Sequence, residues 1–195
     1  MNSPHLDPFS LADEAAVALA ESTGQASHDA VVVLGSGWAA AADGMGEVLA
    51  DVPLNDLPGF PAPTVAGHRN SALSVAVGDT MALVLGGRSH LYEGHPVPTV
   101  VHGVRTAIAA GCKVAVLTNA AGGLNPAWPV GQPVVLCDQL NLTGTSPMAG
   151  EPPPPDRPGR FVDLTESYSI RLRELAHEVD SSLPEGIYAG LLGGA

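Results

Sequence analysis

Hydrophobic positions along this chain switch repeatedly between the three-to-four spacing of helices and the short solid runs of buried strands. The segment "SLADEAAVALAEST" (10–23) has helical spacing, Ser10 placed as an N-cap, acids in the first turn and Gly24 beyond its end, so it predicts a helix. "AVVVLG" (30–35) is an apolar run ending in glycine and predicts a buried strand. "GSGWAAAADGMG" (35–46) predicts a tight turn into a short Ala-rich helix stopped by Gly44 and Gly46. "SALSVAVG" and "MALVLGG" predict a hairpin that turns after Gly78 through Asp79 and Thr80. "VPTVVHGVRTAIAAG" (97–111) predicts a helix opened by proline and closed by Gly111. "KVAVLTNAAGG" and "QPVVLCDQLN" read as strand-then-loop units. "LTESYSIRLRELAHEVD" (164–180) is amphipathic, with Leu172, Leu175 and Ala176 on one face, and "GIYAGLLG" (186–193) is a last apolar strand. Between them, the Pro-rich 146–160 predicts a loop.

This alternation of strands and helices, with one hairpin, predicts an α/β fold: a mixed central sheet flanked by helices on both faces, in a single domain over residues 1–195. Ligands of such sheets gather where loops leave the carboxyl ends of strands. Three polar or glycine-rich loops fall at such positions: 35–37, 86–95 and 118–123.

Composition narrows the partners. With 45 % hydrophobic and 14 % charged residues, the chain has the make-up of an ordered globular protein. Twenty acids oppose one lysine, Lys113, and seven arginines, giving a net charge of −12. That field repels polyanions, so nucleic acid and anionic membrane surfaces are not expected partners, and a small anion would need a local device of backbone N–H groups and a few placed cations. Cys112 and Cys137 sit in apolar, strand-like contexts and read as buried thiols rather than a disulfide framework. The N-terminus lacks a basic-then-apolar leader and no run reaches the roughly 18 apolar residues of a membrane span, so a cytoplasmic location is expected.

Gly35-Ser36-Gly37 after a buried strand lets the backbone approach an anion, and Ser36 adds a hydroxyl donor. No Gly-Lys-Ser/Thr follows, which excludes a P-loop. Gly35, Gly37 and Ala40 match the loose dinucleotide fingerprint, with Asp51 or Asp56 as ribose acid, although the helix that follows is short for a regular βαβ crossover. His68 lies in a loop rich in Pro and Gly and reads either as a solvated residue or as a site residue. In "LTNAAGG", Asn119 is followed by four small residues. Either this is a tight strand exit, or a flat ligand lies against the backbone with the Ala120 N–H meeting an anion. "GGRSHLYEGH" (86–95) is the most informative stretch. Arg88 and His90, two apart, point to one side of an extended segment and converge as a dianion site. Tyr92 continues the same row, and Glu93, which points the other way and would repel an anion, is placed to orient His90 or a neighbouring segment. His95 and His102 read as structural.

Taken in order, "VVVLGSG", "FPAPTVAGH", "GGRSHLYEGH", "LTNAAGGLNP" and "GIYAGLLG" resemble the trimeric purine nucleoside phosphorylases, from about residue 8 to residue 193. The related methylthioadenosine phosphorylases, an alternative, lack Tyr-Glu-Gly after the histidine as a family. The resemblance implies a three-layer nucleoside phosphorylase sandwich, reversible phosphorolysis of purine (deoxy)ribonucleosides in purine salvage, a cytoplasmic homotrimer, and no metal or organic cofactor. It assigns Ser36, Arg88, His90 and the Ala120 N–H to phosphate, with His68 close by as a further catalytic and phosphate residue. Tyr92 is assigned to the ribose, and Asn119, Ala121 and Gly122 to the nucleoside. The family's base-binding Glu and Asn motifs and its last helices have no counterpart before Ala195. The expectation is therefore a chain lacking the C-terminal third of the family domain, with little or no activity of its own. The alternative within that expectation is an inactive phosphate- or nucleoside-binding remnant.

Overall fold

Asp7, rather than Ser10, caps the first helix. Its carboxylate accepts the Ser10 N–H at 2.9 Å and the Ser10 hydroxyl at 3.1 Å, which puts Pro8 at the first helical position, where its missing N–H costs nothing. The computed structural model describes residues 7–62, 70–150 and 152–192, which divide into two compact units, residues 1–120 and 121–195.

In the first unit, α1 (Pro8–Thr23) buries Ala12, Ala15, Ala16 and Leu19, the i, i+3, i+4, i+7 stripe of a helix lying on a core. It ends at Gly24, whose φ of 70° allows its N–H to close on the Ala20 carbonyl at 2.9 Å. Five strands form one mixed sheet: β1 (Ala30–Val33), β2 (Glu47–Pro53), β3 (Ser71–Val77), β4 (Thr80–Leu85) and β5 (Val114–Leu117), in the order β2-β3-β4-β1-β5. β1 lies between β4 and β5 and is parallel to both, while the β2–β3 and β3–β4 pairs are antiparallel. The β3–β4 hairpin turns where expected, with Gly78 at φ 59° supplying the positive dihedral that a two-residue loop needs.

Two apolar layers flank this sheet. Val31, Val33, Ala72, Leu83 and Leu85 pack with α1 residues Ala16 and Leu19 and with Ala107. On the other side Leu73, Val75, Ala82 and Val84 pack with Leu34 and Ala42. The second layer is closed by a six-residue 3₁₀ turn (Ala39–Gly44), which is the short Ala-rich helix of the sequence reading. The predicted 97–111 helix is divided at Val101, whose ψ of 0° breaks the run, into α2 (Val97–Val100) and α3 (His102–Ala109). β2 was not anticipated: Glu47, Asp51 and Pro53 interrupt its apolar pattern, as suits an edge strand. It pairs antiparallel with β3 rather than completing a parallel βαβ unit, which removes the structural basis of the dinucleotide reading at Gly35-x-Gly37 and its acids Asp51 and Asp56.

In the second unit, β6 (Val135–Leu142) and β7 (Glu185–Leu191) pair in parallel, with α4 (Ile170–Val179) between them in sequence. α4 starts six residues later than predicted. Ser169 caps it by accepting the Leu172 N–H, while Asp163 binds the N–H and hydroxyl of Thr165 at 2.9 and 2.6 Å and holds that stretch in a turn. Arg173 and Glu185 tie α4 to the start of β7 at 2.6–2.7 Å. Among the described residues, no helix is long and apolar enough to cross a membrane.

Candidate functional site

Because β4, β1 and β5 are parallel neighbours, their carboxyl ends open at one edge of the sheet. The loops that leave this edge begin at Gly86, Leu34 and Thr118, and they carry the three segments singled out in the sequence.

The β1 exit is a sharp turn. The Trp38 N–H reaches the Gly35 carbonyl at 3.1 Å, and Gly37 takes φ 84°. Ser36 sits exposed at its tip. Gly35 has no room for a side chain, because a Cβ would stand 2.4 Å from the Thr118 carbonyl oxygen and 2.9 Å from Asn119 Cα. The β1 and β5 exits therefore run in backbone contact.

The β4 exit carries the charged groups. His90 is extended (φ −123°, ψ 152°) and precedes a 3₁₀ turn, Leu91–Glu93, that Gly94 closes at φ 85°. This turn folds Glu93 back, so that one carboxylate oxygen accepts both the His90 N–H at 2.7 Å and the His90 Nδ1–H at 2.9 Å. Arg88 Nε donates to His90 Nε2 at 3.2 Å. A donor on that nitrogen makes Nε2 the acceptor, so the imidazole is neutral with its proton on Nδ1. Arg88 Nη1 also donates to the Thr118 carbonyl at 3.0 Å, linking the β4 and β5 exits. The ring of Tyr92 stacks on His90 with centroids 4.7 Å apart and an interplanar angle of 22°, and it is 78 % exposed.

The expected pairing of Arg88 with His90 is thus present, and Glu93 orients His90 as its charge suggested. Tyr92 reaches the same cluster through the 3₁₀ turn and ring stacking, in place of a continued extended row. Asn119 and Ala120 follow Thr118 directly, while Ala121 and Gly122 open the second unit, with empty space where a Cβ on Gly122 would stand. His68 lies outside the described residues. His102 is structural: it is buried, holds the Pro58 carbonyl at 2.8 Å and meets the Phe60 ring edge-on, and burial lowers its pKa. Among the described residues, no group of three or more His, Cys, Asp and Glu is arranged to hold a metal ion.

Sequence reasoning missed Thr118, a residue whose type at a strand end signals nothing beyond β-propensity. Its N–H and hydroxyl both donate to the Val33 carbonyl, at 3.0 and 3.1 Å, and its Oγ1 accepts the Gly35 N–H at 2.8 Å. With the Arg88 bond, this one residue touches all three exits.

Residues 29–193 match the sequence profile of the Phosphorylase superfamily. The chain is 52 % identical to the purine nucleoside phosphorylase of a Cellulomonas species over 194 residues, 97 % of this chain and 66 % of that one. It is likewise 52 % identical to the Mycobacterium tuberculosis enzyme of the same name, over 99 % of this chain and 69 % of that one. It therefore spans about two thirds of the length of these relatives. A crystal structure of isoform 2 of the Schistosoma mansoni purine nucleoside phosphorylase, in complex with cytosine and ribose-1-phosphate, superimposes with a TM-score of 0.78 at 26 % identity, covering 97 % of this chain and 70 % of that one. The chain belongs to the Phosphorylase superfamily and, within it, to the purine nucleoside phosphorylases.

Proposed function

We propose that this protein takes part in the reversible phosphorolysis of purine ribo- and deoxyribonucleosides, and that the three strand exits form its phosphate site. The observation that carries this reading is the convergence of an arginine and an oriented histidine on the edge where two glycine-rich strand exits lie in backbone contact, in a chain of net charge −12. A dianion entering that edge would meet the Arg88 guanidinium, the Ser36 hydroxyl and the Ala120 N–H as donors, and His90 would join them through Nε2 once that nitrogen takes up a proton and gives up its bond from Arg88. His68 completes the proposed set.

In the reaction a phosphate oxygen forms a bond to the anomeric carbon while the bond from that carbon to the purine nitrogen breaks. The electron pair of the broken bond leaves with the purine, which takes up a proton, and the pentose 1-phosphate remains. The anomeric carbon is cation-like in the transition state, so a phosphate held on its far side is both nucleophile and electrostatic stabiliser. Holding it there is the task of Arg88 and His90. The exposed, stacked face of Tyr92 suits the ribose, and the small residues Ala121 and Gly122, with Asn119, suit a flat base. The reading extends to a cytoplasmic homotrimer working in purine salvage with no metal or organic cofactor, inorganic phosphate being a substrate.

The test is calorimetric titration with phosphate, together with an assay in which hypoxanthine released from inosine is oxidised by xanthine oxidase. Saturable phosphate binding with phosphate-dependent turnover supports the reading. Binding without turnover identifies the chain as a phosphate-binding remnant. Absence of saturable binding overturns it.

A further inference from the structure

We propose that Thr118 is a positioning residue for the phosphate site, one that sets the relative placement of its three loops without itself touching phosphate. The inference rests on the phosphate-site reading above. Thr118 engages every hydrogen-bonding group it has in the same small volume. Its hydroxyl proton goes to the Val33 carbonyl at 3.1 Å, which turns a lone pair toward the Gly35 N–H at 2.8 Å. Its own N–H goes to the same Val33 oxygen at 3.0 Å, and its carbonyl receives Arg88 Nη1 at 3.0 Å.

Two consequences follow for an anion. The Gly35 N–H is used within the framework, so the β1 exit offers backbone donors only from Ser36 onward. The Thr118 carbonyl that fixes Arg88 is also the atom that excludes any side chain at position 35, at 2.4 Å from a would-be Cβ. A shift of Thr118 therefore moves the arginine and the Ser36 turn together. A side chain that is isosteric but lacks the hydroxyl leaves the Gly35 N–H without its acceptor and frees the turn to drift from Arg88.

The discriminating variants are Thr118→Val, close in shape with no hydroxyl, and Thr118→Ser, which restores it. Each is checked for native secondary structure by circular dichroism, then titrated with inorganic phosphate and, separately, with inosine. The expected result is phosphate binding weakened about tenfold or more in Thr118→Val, recovery to within about threefold of the unmodified protein in Thr118→Ser, and inosine binding little changed in both. Equal phosphate affinity in Thr118→Val, or proportionate loss of phosphate and inosine binding, overturns the assignment. If Thr118→Val does not fold, hydrogen exchange of the Gly35 amide in the unmodified protein decides. Protection that rises about tenfold on adding phosphate supports the coupling, and protection unchanged by bound phosphate overturns it. An unmodified protein that binds no phosphate overturns the site reading itself; phosphate binding that Thr118→Val leaves intact overturns the role of Thr118 alone.

Discussion

Glu93 and His90 form a closed pair in which one carboxylate oxygen receives both the backbone N–H and the ring Nδ1–H of the histidine, at 2.7 and 2.9 Å. This double contact fixes the ring plane and its tautomer at once, leaving Nε2 toward Arg88. Replacing Glu93 with Gln keeps the volume and an oxygen that can accept both bonds, but removes the carboxylate charge that strengthens them. We expect Glu93→Gln to weaken phosphate binding about tenfold with little change in melting temperature, since the pair lies in a partly exposed loop. Calorimetric titration beside a thermal melt checks both halves, and an unchanged affinity would remove the orienting role of Glu93.

Gly35 is held by space rather than by dihedral angle. A Cβ there meets two backbone atoms, Thr118 O at 2.4 Å and Asn119 Cα at 2.9 Å, neither of which moves without parting β1 from β5. Gly35→Ala is expected to destabilise the protein by about 1–3 kcal/mol. Gly44→Ala, where no heavy atom stands within 4 Å, is the matched control and should be near neutral. Urea unfolding of the two variants side by side tests this, and equal stabilities would contradict the packing described.

Two histidines make the fold acid-sensitive. His28, with Nε2 on Ser74 Oγ at 2.7 Å, and His102 are both almost fully buried, and burial lowers both pKa values. A histidine whose folded pKa lies below its unfolded value of about 6.5 binds its proton more readily in the unfolded chain, so stability rises with pH across that interval. Stability is therefore expected to fall as pH drops below about 6.5, by at most about 1.4 kcal/mol per pH unit for each ring. The carboxylates Asp163, Asp180 and Glu185, which hydrogen bonds from Thr165, Ser182 and Arg173 hold below their ordinary values, act in the same direction only at lower pH, below the usual carboxylate range. Urea unfolding between pH 7.5 and 5 checks the slope, and His28→Gln should flatten it. A slope unaffected by that change would show that His28 is not the group responsible.

Strand β1, the β3–β4 hairpin and the charged loop were legible because each combines an apolar run with glycine at a turn. Asp7 takes the cap in place of Ser10 because its carboxylate, three residues earlier, accepts the N–H and hydroxyl of Ser10 itself, a competition that spacing alone does not decide. β2 escaped because an edge strand with Glu47, Asp51 and Pro53 has no clean alternation. Within the site, chemistry-bearing side chains were readable from type and spacing. Thr118 was not, since its importance lies in bonds to Val33, Gly35 and Arg88 that are distant in sequence and depend on strand order.

The proposed phosphate site joins the exits of β1, β4 and β5, with Arg88 as its main cation. Arg88→Lys keeps the charge but gives up the fork that binds His90 Nε2 and the Thr118 carbonyl together. The most direct measurement is calorimetric titration of the unmodified protein and Arg88→Lys with inorganic phosphate. One saturable phosphate per chain is expected, weakened about 10- to 100-fold in the variant, with the melting temperature of the free protein nearly unchanged. Phosphate binding of equal strength in both proteins, or none in the unmodified one, would contradict that expectation.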